Sequence, residues 1–223
     1  MDFSKQAHPL QLAPSVLTCN FTRLFEAVTL IEQCGCDALH CDVMDGVFVP
    51  PITFGAKMIA DFRNITDLFL DVHCMVTQPQ RHIAALADAG TNRMTFHIEA
   101  ADSAQTVLQD IKNAGMQAGI SLNPQTPLAL IYPHAQQLDC VLVMSVIPGY
   151  GGQAFQPEAV QRIKELAAYR AQNGLSFQIE VDGGINFDTA QICRAAGADI
   201  VVCGNAFFKS EDPRTFTKKI QAL

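Results

Sequence analysis

The run His40-Cys41-Asp42-Val43-Met44-Asp45-Gly46 sets an imidazole and a carboxylate two residues apart, just before a glycine turn. Side chains alternate faces along a strand, so His40, Asp42 and Met44 project to one side. A second run, Asp71-Val72-His73-Cys74-Met75-Val76, puts His73 and Met75 on one face, and a third ends in Asp182-Gly183-Gly184. His40, Asp42, His73 and Asp182 together make a donor set for one divalent metal ion, with Zn²⁺ or Fe²⁺ first and Mn²⁺ or Co²⁺ open to the same ligands. A single such histidine reads better as a hydrogen-bonded interior group, but four ligand-type residues at one edge of a fold favour a metal.

Asp42 and Asp182 also form a pair of acids. On the second and seventh strands they face each other across a mouth, so a substrate between them meets one carboxylate on each side. One takes a proton from carbon and the other returns a proton to the opposite face. A divalent cation beside them stabilises the enediolate between the two transfers. The plainer reading is two metal ligands. Met44, Met75 and Met144 each end a strand at the same edge, either as core filler or as a dry, polarisable wall. Three glycine-rich segments follow later strands: Pro148-Gly149-Tyr150-Gly151-Gly152-Gln153, Asp182-Gly183-Gly184-Ile185 and Cys203-Gly204-Asn205. Glycine permits close backbone approach to an anion, and a helix start supplies free N–H groups, so three converging loops suit a phosphate.

The elements that must position these groups alternate along the whole chain. Strands are expected over 10–18, 38–44, 68–75, 93–98, 117–122, 140–146, 177–181 and 200–203. Helices are expected to begin near Phe21, Gly55, Gln80, Ser103, Pro127, Pro157, Thr189 and Pro213. Gly35, Gly90, Gly115, Gly174 and Gly197 stand where helix C-caps belong, and Asp102-Ser103 and Asp188-Thr189 where N-caps belong. Eight βα units predict an α/β fold, a single (β/α)₈ TIM barrel over residues 1–223. An open doubly wound sheet normally shows a glycine-rich turn after its first strand, whereas this one ends in Thr18-Cys19-Asn20. In a barrel, residues at the C-terminal strand ends read as functional, which adds Ser15, His97, Asn123 and Gly204 to the groups above.

The formal net charge of −7 argues against a nucleic-acid partner. There is no long apolar run for a membrane span, and the start Met1-Asp2-Phe3-Ser4 lacks a signal-peptide core, so a soluble cytoplasmic protein is expected. Most of the eight cysteines fall in apolar elements and read as reduced, buried thiols. His8, His82 and His134 read as solvated, Asp45 as a turn cap, Asp71 as structural, and His97 and Glu99 as partners behind the ligands. Ile59 and Phe62 could be a core face or an interface; periodicity does not separate the two.

These segments, with Leu12-Ala13-Pro14-Ser15, Phe48-Val49-Pro50 and Asn123-Pro124-Gln125-Thr126-Pro127, resemble the ribulose-phosphate 3-epimerase family over essentially the whole chain. The resemblance implies a ribulose-phosphate-binding barrel. It implies interconversion of D-ribulose 5-phosphate and D-xylulose 5-phosphate in the pentose phosphate pathway, within a homo-oligomer. It maps metal ligands onto His40, Asp42, His73 and Asp182, and the acid/base pair onto Asp42 and Asp182. It maps substrate contacts onto Ser15, His73, Met44, Met75 and Met144, and phosphate loops onto Gly151, Gly152, Gly184, Gly204 and Asn205. The chain departs from the family at Pro51, where asparagine is common, at Cys74, for leucine, and at Asn205, for serine. Those departures leave room for a related phosphoketose such as D-allulose 6-phosphate. A related barrel decarboxylase uses Asp-x-Lys-x-x-Asp, whereas Asp71 is followed two residues on by His73. A barrel that only binds sugar phosphate would be expected to lack one of the four ligands.

Overall fold

In the computed structural model, which describes residues 9–223, strands alternate with helices from end to end. The strands are β1 Gln11–Pro14, β2 Ala38–Met44, β3 Phe69–Met75, β4 Arg93–His97, β5 Gln117–Leu122, β6 Cys140–Met144, β7 Gln178–Asp182 and β8 Ile200–Cys203. The helices are α1 Leu24–Gln33, α2 Ala56–Arg63, α3 Ile83–Asp88, α4 Ala104–Asn113, α5 Glu158–Gln172, α6 Phe187–Ala196, α7 Asn205–Phe208 and α8 Pro213–Gln221. All strand pairs are parallel, in the order β1-β8-β7-β6-β5-β4-β3-β2. The ring closes between β1 and β2 through a bridge from Ser15 to His40 and a bond from Asp37 N to Leu12 O of 3.0 Å. The architecture is the (β/α)₈ barrel. His8 and the polar start of the chain lie outside the described residues.

One strand face and one helix stripe build the core. Leu39, Cys41, Val43, Leu70, Val72 and Cys74 point outward from β2 and β3 and, fully or almost fully buried, share one core with the helix residues Ile59 and Phe62 of α2 and Val107, Leu108 and Ile111 of α4. Ile59 and Phe62 belong to this core, which answers the question their spacing left open. All eight cysteines are free, and burial pushes the Cys74 thiol up to about 12. Gly35, Gly90, Gly115, Gly174 and Gly197 all have positive φ at helix ends, as C-capping requires. Among the described residues, no helix is long and apolar enough to cross a membrane.

Three local expectations are corrected. β1 stops at Pro14 rather than running to Thr18, because the Ser15 side chain accepts from Leu17 N at 3.2 Å and caps a 3₁₀ turn over Val16–Thr18. The helix expected at Pro127 is replaced by two 3₁₀ turns, Leu128–Leu130 and Tyr132–Gln137; Pro133 has no N–H to donate to a longer helix. Helix α6 is capped by Asn186, not Asp188. Asn186 Oδ1 accepts from Thr189 N at 3.0 Å, and Thr189 Oγ1 accepts from Asn186 N at 2.8 Å. Ser103 caps α4 as expected, accepting from Thr106 N.

The inward-facing side chains lie in levels. His40, Asp71 and Arg93 are register neighbours across β2, β3 and β4, and Asp42, His73 and Thr95 form the next row toward the mouth. Met44 and Met75 pair at the strand ends above them.

Candidate active site

Strand β2 supplies both a deep imidazole and a carboxylate. His40 is fully buried, and its Nδ1 lies 2.9 Å from Asp71 Oδ2. Its other nitrogen, Nε2, faces Asp42 Oδ1 at 3.5 Å and has no hydrogen-bond partner. Asp42 is held from three sides. Ser15 Oγ donates to its Oδ2 at 2.5 Å, His73 Nδ1 lies 3.2 Å from its Oδ1, and Thr53 Oγ1 donates to its backbone carbonyl at 2.6 Å. His73 Nε2 meets His97 Nε2 at 2.9 Å, and His97 Nδ1 lies 3.4 Å from Glu99 Oε2. An ionised carboxylate only accepts, so it draws the His97 proton to Nδ1. His97 Nε2 then accepts from His73 Nε2–H, which leaves the His73 Nδ1 lone pair facing Asp42. His97 and Glu99 thus stand behind His73, where the sequence put them.

One ligand atom each from His40, Asp42, His73 and Asp182 lies within 4.8 Å of the others. The unpartnered His40 Nε2 and the free side of His73 Nδ1 fit this group to a divalent cation, each ring being anchored by its other nitrogen. His40, Asp71 and Glu180 also come within 4.8 Å of one another. There, however, Arg93 already holds both carboxylates, with Nε 2.8 Å from Asp71 Oδ1 and Nη2 2.9 Å from Glu180 Oε2. A second cation in that group would face the guanidinium.

The two acids have opposite proton affinities. Burial alone would raise both. At Asp42 the positive charge of His40 prevails and holds the carboxyl well below its ordinary range. At Asp182 burial and then the Asp42 charge dominate, pushing it up to about 7. Burial lowers His73 and brings His97 down to about 4, so both imidazoles stay neutral near pH 7. Two carboxyls with separated affinities can serve as base and acid on one substrate.

Above these groups opens a cavity of about 230 Å³. Ser15, Asp42, Met44, Met75, Met144, Asp182, Gly151, Gly152, Gly184, Gly204 and Asn205 all line it, as the sequence proposed. His40 and His73 do not; both are fully buried. The three methionines are almost fully buried, each as the last residue of its strand. The loops after β6, β7 and β8 converge on one side together with Thr18. A Cβ on Gly204 would lie 2.7 Å from Thr18 Cγ2, and one on Gly184, at φ +61°, would collide with the Phe155 backbone. Of the three departures from the family pattern, only Asn205 lines the cavity. Cys74 points into the outer core, and Pro51 packs near Gly149.

Sequence reading missed Arg93, Glu180 and Thr18. Glu180 stands two residues before Asp182, so period-two alternation on β7 already aimed it inward. Asp45 does more than cap its turn. It accepts from Val47 N and Phe48 N, each at 2.8 Å, and from Thr77 N at 2.7 Å, tying the loops after β2 and β3 together. His82 and His134 are half-buried rather than fully solvated.

Comparison with known proteins agrees with this geometry. The sequence profile of the Ribulose-phosphate 3 epimerase family matches residues 11–208. Ribulose-phosphate 3-epimerase of Bacillus subtilis is 40% identical over 213 residues, covering 95% of this chain and 98% of that one. The cytoplasmic isoform of ribulose-phosphate 3-epimerase from Oryza sativa is 40% identical, covering 91% and 89% of the two chains. Among solved structures, KGPDC from Streptococcus mutans superposes with a TM-score of 0.67 at 14% identity, covering 96% of each chain. The tryptophan synthase A-subunit from the hyperthermophile Pyrococcus furiosus also superposes with a TM-score of 0.67, at 13% identity and 96% coverage of each chain. These two likenesses concern the fold alone. With the profile spanning most of the barrel and relatives matched at 40% identity nearly end to end, the chain belongs to the ribulose-phosphate 3-epimerase family.

Proposed function

We propose that residues 1–223 act as one barrel domain that interconverts D-ribulose 5-phosphate and D-xylulose 5-phosphate by two-base proton transfer at C3. The observation that carries this reading is the pair Asp42 and Asp182 on one cavity, one held ionised and the other holding its proton to about 7. Asp42 takes the C3 proton of D-ribulose 5-phosphate, and Asp182 delivers its own proton to the opposite face. The pair then carries one proton in the reversed arrangement, which is the state that runs the return reaction. Ser15 aims Asp42 by donating to Oδ2, so Oδ1 stays turned toward His40 and His73. Met44, Met75 and Met144 offer an apolar wall that limits water beside the reacting carbon.

His40 Nε2, His73 Nδ1 and the two carboxylates would hold a divalent ion, Zn²⁺ or Fe²⁺ by donor type, with Mn²⁺ or Co²⁺ also suited. When bound there, such an ion supplies the positive charge that steadies an enediolate formed on the substrate. Gly184, Gly204 and Asn205 offer backbone N–H groups to the phosphate, and Gly151 and Gly152 close over it from the β6 loop. A cytoplasmic homo-oligomer completes the reading. One relative is a cytoplasmic isoform, and Val47, Ile52 and Phe25 are 74%, 78% and 63% exposed, leaving apolar surface for a second copy.

The test is a coupled assay on purified protein with D-ribulose 5-phosphate and D-allulose 6-phosphate as competing substrates. Preferential turnover of the pentulose phosphate is expected, because only Asn205 among the departures touches the cavity. Preference for the hexulose phosphate would keep the mechanism and change the substrate. Binding without turnover of either would leave a sugar-phosphate-binding barrel.

A further inference from the structure

Arg93 enters the barrel interior from β4 and is 1% exposed. It joins carboxylates from two strands, Asp71 on β3 at 2.8 Å and Glu180 on β7 at 2.9 Å. Its Nη1 reaches Gln178 Oε1 at 3.3 Å, and its guanidinium carbon sits 5.4 Å from the centre of the Phe69 ring. None of these residues lines the cavity at the mouth. Asp71 gives Oδ1 to Arg93 and so presents Oδ2 to His40 Nδ1 at 2.9 Å. The register places His40, Asp71 and Arg93 side by side on consecutive strands, so the contact runs in a straight row across the sheet. A planar guanidinium tied at two points stops the carboxylate from turning; an ammonium at the same place would act as a single point charge.

We propose that Arg93 is a positioning residue for the metal site: it locks Asp71 so that His40 donates from Nδ1 and offers Nε2 toward Asp42. The inference rests on the metal-site reading above. A hydrogen-bonded partner behind a ligating histidine fixes its ring and tautomer, and losing it typically weakens metal binding about 10- to 100-fold. The competing role is plain neutralisation of Asp71 and Glu180, two buried carboxylates whose other cationic neighbour is His40, with Nδ1 at 2.9 Å from Asp71 and 3.6 Å from Glu180.

Three metal-stripped, full-length proteins separate these roles: wild type, Arg93→Lys, and the double variant Arg93→Gln with Glu180→Gln, in which the surplus carboxylate leaves with the cation. Each is titrated with Co²⁺ against a chromophoric chelator, its visible spectrum recorded and its thermal melt measured. The wild type is expected to bind one Co²⁺ per chain. The double variant is expected to melt cooperatively yet bind Co²⁺ about 10- to 100-fold more weakly with an altered ligand-field spectrum, and the lysine variant to be weakened as well. Wild-type affinity and spectrum in the double variant would overturn the inference and leave Arg93 as a neutralising charge. If the double variant does not fold, Arg93→Lys decides by the same comparison. A wild type that binds no Co²⁺ would overturn the metal-site reading and this inference together, a result distinct from loss of the Arg93 effect alone.

Discussion

Ser15 and Asp42 meet across the seam that closes the barrel: Ser15 Oγ donates to Asp42 Oδ2 at 2.5 Å while the Ser15 backbone bridges to His40. Closing the ring and aiming the acid are therefore one structural event. A hydrogen bond to an ionised group contributes about 1.5–3 kcal/mol. Ser15→Ala is expected to lower kcat/KM roughly ten- to a hundredfold. Steady-state kinetics check this, and an unchanged kcat/KM would show that Asp42 is aimed by its other partners.

Asp42 and Asp182 should be separable by the face of carbon they serve. Each Asn variant is expected to lose net epimerisation, by at least the roughly 10²- to 10⁴-fold attributed to a positioned acid or base. Asp182→Asn keeps the base that faces D-ribulose 5-phosphate, so it should still exchange the C3 hydrogen of that sugar with deuterated solvent. Asp42→Asn should exchange only that of D-xylulose 5-phosphate. NMR of both sugars reads the pattern, and exchange of both by either variant contradicts the two-face arrangement.

Asp182 also links proton uptake to stability in the metal-free protein. Its ordinary value is 3.8, and in the fold, burial and the Asp42 charge raise it to about 7. Between these values the folded chain keeps a proton that the unfolded chain releases. This group's contribution to stability therefore falls as pH rises through that window and is level beyond it. Asn at this position has no proton to lose. The melting temperature of Asp182→Asn minus that of wild type should climb from about pH 4 to about pH 7. A flat difference would mean that Asp182 ionises normally.

Gly184 and Gly35 share a left-handed backbone, at φ +61° and +74°, but differ in surroundings. A Cβ on Gly35 meets nothing within 4 Å, whereas one on Gly184 runs into the Phe155 backbone beside the cavity. Gly35→Ala should cost only the left-handed penalty, about 1–2 kcal/mol, with KM unchanged. Gly184→Ala should destabilise more and raise KM for the phosphorylated sugar. Melts and kinetics on both variants decide; equal effects would remove Gly184 from the phosphate loop.

Much of this architecture is legible in the sequence. Alternation in 38–44 and the short apolar run 200–203 matched β2 and β8 to the residue. The end of β1 was not legible, because Ser15 leaves the strand only when its hydroxyl finds Asp42 and Leu17 N. The segment after Pro127 has helical spacing, yet Pro133 restricts it to 3₁₀ turns. His40, Asp42, His73 and Asp182 could be picked out as a candidate group because chemistry marks them as residue types, and the fold brings them together. Arg93 was not: alternation from His97 aims it inward, but its partners Asp71 and Glu180 lie 22 and 87 residues away, and nothing local to β4 names them.

The most direct measurement follows the conversion of D-ribulose 5-phosphate to D-xylulose 5-phosphate by purified protein before chelation, after it, and after a single divalent metal is restored, with Asp182→Asn in parallel. The account predicts turnover lost on chelation, recovered on metal return, and absent throughout in the variant. Turnover that survives complete metal removal, or persists in Asp182→Asn, would contradict it.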